Sequence, residues 1–253
     1  MMTIGGTPHI LMVLSSIVIG TILFFIIKHS KEKVQNIIIY TLTGICVLGI
    51  FYLHGTRYLT ELDLKNLLIQ MLQVCNFNLI LLIVCLFKRN ELARQYLFFF
   101  SMPMALSTFV SYPSDVEGSM WYSKICLTFW INHFLIVLIP ILMIATKRFK
   151  PRIEYIFKVV ICVFVYFLIA FVGNFILNGW SIEGPHDHSY TMGPGGIMLL
   201  VPLYKLIPVP FIYLLPLVPI LLIVYFGVAR LFKNCSVTGV FGLKLKKRKD
   251  CDV

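Results

Sequence analysis

A thiol and an imidazole lie inside two long apolar stretches of this chain. The thiol belongs to Cys75 and the imidazole to His133, 58 residues further on. A histidine can take the proton of a cysteine thiol, and the thiolate that results can attack a carbonyl carbon. The two residues are therefore candidates for a catalytic nucleophile and its general base.

Side-chain amides accompany both residues in the apolar stretches. They are Gln73, Asn76, Asn78, Asn132 and Asn174. Amides can orient a histidine or donate hydrogen bonds to an oxyanion, so we interpret these five as supporting residues. A structural interpretation stays open, because buried cysteines pack as small residues and polar groups often link membrane helices. We assign that packing role to Cys46, Cys85, Cys126 and Cys162.

The elements that position these residues are expected to be membrane helices. Hydrophobic residues make up 59% of the 253 residues and charged residues only 13%. Soluble domains carry about 25% charged residues, so a soluble, disordered or disulfide-scaffold protein is excluded. A membrane-spanning helix needs about 20 apolar residues. Seven segments qualify, at residues 10–27, 36–53, 67–87, 95–112, 125–145, 155–177 and 210–232.

This pattern predicts an all-α fold, a polytopic transmembrane helix bundle that forms one integral membrane domain over residues 1–253. The first segment lacks the basic start and the cleavage site of a signal peptide. Asn178–Pro194 is rich in Gly and Pro and is expected to be a loop. Gly195–Leu206 is apolar but too short to span, so we interpret it as an interfacial or re-entrant piece.

The distribution of basic residues predicts the orientation. Of the 22 lysines and arginines, 17 fall in the first, third and fifth links and the C-terminal tail, and four fall on the other side. The positive-inside rule then places the N-terminus outside and residues 233–253 in the cytoplasm. The net charge of +11 is thus explained by topology and not by nucleic-acid binding. Lys244–Lys249 could contact anionic lipid headgroups.

Depth in the membrane supports the pairing of Cys75 with His133. Each lies eight residues after the expected outer end of its segment, at Leu67 and Ile125 respectively. At 1.5 Å per residue, both lie about 12 Å below the outer boundary. The polar residues of the third segment spread around most of a helix, so we expect that helix to be central.

A second polar group, His186-Asp187-His188, lies in the long loop. Two histidines and one aspartate could bind a metal or move protons, but a solvated loop is the preferred interpretation. The cysteines form no CxxC pair, so we expect no metal site and no cofactor.

Four short motifs resemble the YwaF-like family of bacterial integral membrane proteins, related to eukaryotic transmembrane lipid acyltransferases that use Cys and His. The motifs are Leu72–Asn76, Phe129–Ile136, Lys150–Arg152 and Val172–Phe175, within a resemblance over about Leu53–Leu231. The resemblance implies a multi-pass protein of the bacterial plasma membrane. It also implies that Cys75 is the nucleophile and His133 its catalytic partner. Many bacterial relatives have His where this chain has Gln73.

Three functions remain open from the sequence. The first is transfer of a fatty acyl chain between membrane lipids through a Cys75 thioester. The second is hydrolysis of that thioester by water. The third is a transporter or binding module that uses the same polar pocket. The acyl donor and acceptor of the first would both be membrane lipids, since no nucleotide motif or G-x-S-x-G elbow occurs. The oligomeric state is not indicated.

Overall fold

The computed structural model describes residues 1–61, 72–87, 90–110, 116, 118–184, 186–195 and 200–234. Every regular element in these ranges is helical, which confirms the all-α prediction. The tail beyond Asn234, including Lys244–Lys249, lies outside the described residues.

The helices follow one another along the chain and are numbered here in order. They are α1 Thr7–His29, α2 Glu32–Glu61, α3 Val74–Phe87, α4 Glu91–Tyr96, α5 Met102–Ser107, α6 Lys124–Ala145, α7 Ile156–Leu177, α8 Leu200–Leu206 and α9 Leu217–Asn234. A π-helical turn, Leu97–Ser101, joins α4 to α5. Single 3-10 turns lie at Ile153–Tyr155, His188–Tyr190 and Ile212–Leu214.

Five of the seven expected spans are long, apolar helices in the described part of the chain. They are Thr7–His29, Glu32–Leu53, Lys124–Ala145, Ile153–Leu177 and Ile212–Phe232. The third expected span is helical only from Val74, and its residues 67–71 lie outside the described ranges. The fourth corresponds to the stretch from α4 through the π-helical turn to α5. These two crossings therefore stay predictions.

The helix that carries His133 is the most buried of the five spans. This helix, α6, packs against α1, α2, α3 and α5, and its Leu135, Ile136 and Ile139 belong to the main hydrophobic core. By contrast α1 exposes apolar side chains such as Leu11 and Ile17. Exposed apolar faces are what a helix in lipid requires. The third segment is expected at the centre, and its helix α3 packs against α2, α4, α6 and the π-helical turn, although its Ile80 and Ile83 are exposed.

Three of the basic links meet at one end of the bundle, which we call the basic end. An Arg148 guanidinium N–H donates to the side-chain oxygen of Asn36, and Arg94 donates to the Arg148 carbonyl at 3.0 Å. The Gln95 amide donates to the Lys150 carbonyl at 2.8 Å and accepts from the Arg152 N–H at 3.1 Å. The links before α2, α4 and α7 are therefore neighbours, as alternating crossings require.

The N-terminal residues contact the segment that precedes α6. Met2 exchanges backbone hydrogen bonds of 2.7 Å with Ser119 and Gly118, and the His9 ring bonds to the Phe109 carbonyl at 2.9 Å. The chain start and the fourth link thus lie together, in agreement with the expected alternation. Which end of the bundle faces the cytoplasm stays a prediction.

Candidate active site

Cys75 lies in the first turn of α3, where a helix begins, and not in the middle of a continuous helix. Leu72 and Gln73 form a turn and a bend, and the Gln73 carbonyl accepts from the N–H groups of Asn76 and Phe77 at 3.1 and 3.0 Å. The expectation of one helix from 67 to 87 is therefore wrong at residues 72–73. The partial positive charge at the start of a helix stabilises nearby negative charge.

Two amide side chains surround the half-buried Cys75 thiol. The sulfur lies 3.8 Å from Gln73 Oε1 and 3.9 Å from Asn76 Oδ1, and the Asn76 amide donates to Gln73 Oε1 at 3.5 Å. A thiol donates to such oxygens. If either amide rotates by 180°, its NH2 group faces the sulfur instead and can stabilise a thiolate. The structure thus brings Gln73, Cys75 and Asn76 together.

Two further polar groups lie within electrostatic range of the Cys75 thiol. One is the buried thiol of Cys46 in α2 and the other is the hydroxyl of Tyr166 in α7. Polar side chains of α2 and α7 thus lie in the neighbourhood of Cys75.

His133 is buried in α6 with its ring fixed by its own helix. Its Nδ1 lies 2.7 Å from the Phe129 carbonyl, and the Phe129 ring packs on it with centroids 4.1 Å apart. A carbonyl only accepts, so Nδ1 carries the proton of the neutral ring. Nε2 then has a free lone pair, which is the form that a general base needs. The hydrogen bonds of the described residues leave Nε2 without a partner.

The helices of the proposed pair are in contact. The Cys75 helix, α3, packs against the His133 helix, α6, so the third and fifth segments are neighbours. The equal depth of Cys75 and His133 could bring them together only if their helices were neighbours, and this contact meets that condition. The described residues show no hydrogen bond between Cys75 Sγ and His133 Nε2, so the direct approach of the two groups stays a prediction.

Asn78 connects α3 to the π-helical turn. Ser101, the last residue of that turn, donates to Asn78 Oδ1 at 2.5 Å, and both residues are buried. A π-helical turn widens a helix locally, and such turns are often found at functional sites. The contact itself is structural, since it joins the third segment to the fourth.

Asn132 faces α2. A Cβ built on Gly49 of α2 would lie 3.3 Å from Asn132 Oδ1, so the glycine permits a close approach of the two helices. Asn132 is buried, and its Oδ1 has no hydrogen-bond partner among the described residues. It therefore stays a candidate supporting residue.

Asn174 holds the loop that follows α7. Its amide donates to the His188 carbonyl and to Thr191 Oγ1, both at 2.8 Å, and its Oδ1 accepts from the His188 N–H at 3.0 Å. One turn later, Asn178 forms the same two-way bond with the backbone of His186. Both Asn174 polar atoms are thus used by the loop, so the predicted oxyanion role is replaced by a structural one.

The loop is packed onto the bundle after His188, whereas His186, Asp187 and His188 are half-buried, so the expectation of a solvated loop holds only for the exposed residues before them. Ser189, Thr191 and Met192 are buried. The Asp187 carboxylate accepts from the N–H groups of Met192 and Gly193 at 2.8 and 2.9 Å.

Burial affects both ionisable groups at this turn. It raises the pKa of Asp187, although the backbone donors oppose the shift. Burial and the neighbouring His186 lower the pKa of His188 to about 4. Among the described residues, no three or more His, Cys, Asp or Glu side chains cluster in a way that could hold a metal ion.

Sequence reasoning missed two hydroxyl groups that reach the start of α3. Tyr166 Oη and Ser189 Oγ lie 2.5 and 2.7 Å from the Leu72 carbonyl oxygen. A tyrosine in the middle of an apolar helix was the available signal for the first. Nothing in the local sequence marks Ser189.

The fold and the buried polar residues define a polytopic helical protein that is embedded in a membrane. Residues 4–229 match the model of the TMEM164 family. The chain therefore belongs to the TMEM164 family, which is a family of membrane proteins. No curated protein and no solved structure matches it. The relation to the YwaF-like family and a bacterial origin stay predictions.

Proposed function

We propose that this protein is a lipid acyltransferase that moves a fatty acyl chain between membrane lipids through a thioester on Cys75. The observation that carries the proposal is the position of Cys75 in the first turn of α3, beside the amides of Gln73 and Asn76. Polar groups that can stabilise a thiolate surround the sulfur, within an otherwise apolar bundle. Cys85 of the same helix, by contrast, packs in the hydrophobic core, and none of the hydrogen bonds between described residues reaches its sulfur.

The first half-reaction forms the thioester. His133 Nε2 takes the thiol proton, and the Cys75 sulfur attacks the carbonyl carbon of a phospholipid ester. The oxyanion that forms is stabilised by the positive end of the α3 backbone and by an amide NH2. When the intermediate collapses, the C–O ester bond breaks. The lysolipid alkoxide leaves with the proton from the imidazolium ring.

The second half-reaction transfers the acyl chain. A hydroxyl group of an acceptor lysolipid gives its proton to Nε2 and attacks the thioester carbonyl. The C–S bond breaks, and the Cys75 thiolate recovers the proton from His133. Both partners reside in the bilayer, so neither needs to dissolve in water. The family resemblance in the sequence supports the same two residues.

The proposal includes a multi-pass arrangement of seven crossings in a cell membrane, with the N-terminus outside. The basic tail would lie in the cytoplasm, where it could contact anionic headgroups. Hydrolysis remains the alternative outcome of the second half-reaction, with water in place of the lysolipid.

Replacement of the proposed pair tests the function. Cys75→Ala should abolish acyl transfer between lipids, and His133→Ala should be nearly as damaging. The double variant should be little worse than either, because the two residues act as one unit. The measurement is acyl-chain profiling of lipids around the purified, reconstituted protein, with mass-spectrometric capture of an acyl group on Cys75.

Cys85→Ala is the matched control, since Cys85 lies on the same helix and is buried in the core. It should keep activity and the Cys75 adduct. Full activity in Cys75→Ala would show that the nucleophile lies elsewhere. If wild-type protein neither moves acyl chains nor forms an adduct, the acyltransferase proposal fails.

A further inference from the structure

Because α3 begins only at Val74, the Leu72 carbonyl lies outside the helix. Two hydroxyl groups contact this carbonyl. Tyr166 of α7 lies 2.5 Å away and Ser189 of the loop lies 2.7 Å away, while the two hydroxyl oxygens are 2.7 Å apart. Two hydroxyls carry two protons, so two of these three contacts are hydrogen bonds at any moment. Both Tyr166 and Ser189 are buried.

The side chain of Leu72 is fixed by the same helix. A Cβ built on Gly173 of α7 would lie 2.6 Å from Leu72 Cδ1, so the glycine makes room for this side chain. Gly173 follows Tyr166 by seven residues, which places both on one face of α7. The face thus contacts the side chain and the carbonyl of Leu72, three residues before Cys75.

Ser189, whose hydroxyl contacts the Leu72 carbonyl, has an unusual backbone conformation. Its φ is +63°, in the left-handed region that L residues seldom adopt. The neighbouring bonds from Asn174 to His188 and Thr191 hold the turn on both sides. A strained conformation that the surrounding bonds maintain is often associated with a functional site.

We propose that Ser189 and Tyr166 are positioning residues. They hold the Leu72–Gln73 break, and so keep the Cys75 thiol in the first turn of α3 and shielded from water on the loop side. The consequence of this arrangement rests on the proposed function: the thioester on Cys75 survives until a lipid acceptor arrives. Loss of either hydroxyl should shift the second half-reaction from transfer to hydrolysis.

Ser189→Gly tests the hydroxyl group separately from the backbone conformation. Glycine adopts a φ of +63° without strain, so the fold should be kept while the hydrogen bond is lost. Tyr166→Phe removes the second hydroxyl and keeps the ring. The control is Ser181→Ala, which removes a loop hydroxyl whose bond is local, to the Glu183 N–H at 3.0 Å.

Two measurements follow, both on protein in lipid nanodiscs. The first is the rate at which a water-soluble maleimide alkylates Cys75, which requires no catalysis. We expect Ser189→Gly and Tyr166→Phe each to raise it by on the order of fivefold, the factor that loss of one hydrogen bond gives to local opening. The second is the ratio of free fatty acid to transferred acyl chain, which should rise in both variants and stay unchanged in Ser181→Ala.

Unchanged alkylation and an unchanged product ratio in both variants would overturn the positioning role. A general loss of stability can raise the alkylation rate but cannot raise the ratio of free fatty acid to transferred acyl chain, because unfolded protein forms neither product. If wild-type protein forms no thioester, the proposed function fails, and the alkylation rates alone decide whether the hydroxyls hold Cys75.

Discussion

The effect of a buried polar residue on stability depends on its hydrogen-bond partner, as Asn78 and Ser101 illustrate. The Ser101 hydroxyl is the donor to the buried Asn78 oxygen, at 2.5 Å. A buried acceptor that loses its donor retains the cost of leaving water without the compensating bond. The two residues thus stabilise the contact of α3 with the π-helical turn.

Ser101→Ala should lower the free energy of unfolding by about 1–3 kcal/mol, the usual cost of a buried unsatisfied polar group. Ser107→Ala, an exposed change one helix further on, should cost less than about 0.5 kcal/mol. Thermal unfolding of the detergent-solubilised variants measures the difference. Equal stability of the two variants would show that the Asn78 contact contributes nothing.

The candidate residues could be found from the sequence, but their exact local geometry could not. A cysteine, a histidine and several amides are conspicuous in apolar segments, whatever the fold. The break at Leu72-Gln73 contains no Gly or Pro to announce it. It is held instead by Tyr166 and Ser189, which are 94 and 117 residues away in the chain. Single-segment periodicity contains no information about such contacts.

Among the elements, the loop after α7 departs most from expectation. Its composition is typical of a solvated connection, yet asparagines of α7 bond its backbone and Asp187 bonds its own N–H groups. Backbone groups that these side chains satisfy no longer need water, so the loop can be buried. Composition indicated a loop correctly but could not indicate where it packs.

The packed loop should lose stability as the pH falls from 7 toward 4. Burial lowers the pKa of His188 to about 4, whereas an unfolded histidine titrates near 6.5. Between these values the unfolded state binds a proton that the folded state does not, so stability decreases as pH decreases. Asp187, whose pKa is raised, acts in the opposite direction.

The comparison of wild type with His188→Gln isolates this effect, because Asp187 and His186 are the same in both proteins. Thermal unfolding at pH 7.5 and pH 5 is the measurement. Wild type should lose more stability than His188→Gln over this interval. An identical loss in both would mean that His188 does not titrate as its burial implies.

Helix existence was easier to predict than helix limits. Five expected spans are long apolar helices because about 20 apolar residues have few alternatives to a membrane helix. The last helix, expected from Pro210, begins only at Leu217. Pro208, Pro210 and Pro216 lack the N–H that a continuing helix needs, so a 3-10 turn at Ile212–Leu214 fills the interval.

Across the whole molecule, both the distribution of charge and the hydrogen bonds between links distinguish the two ends of the helix bundle. Arg94, Arg148 and Asn36 meet at the basic end, while the packed loop and the start of α3 contact each other through Leu72. The positive-inside rule then predicts that the basic end is cytoplasmic. The Cys75 thiol would lie toward the outer half of the membrane.

Cysteine labelling of intact cells tests this orientation. A membrane-impermeant reagent should label an engineered Glu183→Cys, which replaces an exposed loop residue, and should leave Cys251 of the tail unlabelled. Both should react after the cells are permeabilised. Ready labelling of Cys251 in intact cells would contradict the predicted topology.

The central claim is that His133 activates Cys75, and one rate tests it most directly. The rate is that of Cys75 alkylation by a small uncharged reagent in wild type and in His133→Gln, with the protein in lipid. A general base contributes about 10²-fold or more to such a proton transfer. The account predicts that His133→Gln slows alkylation of Cys75 by at least about tenfold and leaves the half-buried Cys162 unchanged. Equal rates at Cys75 in the two proteins would contradict it.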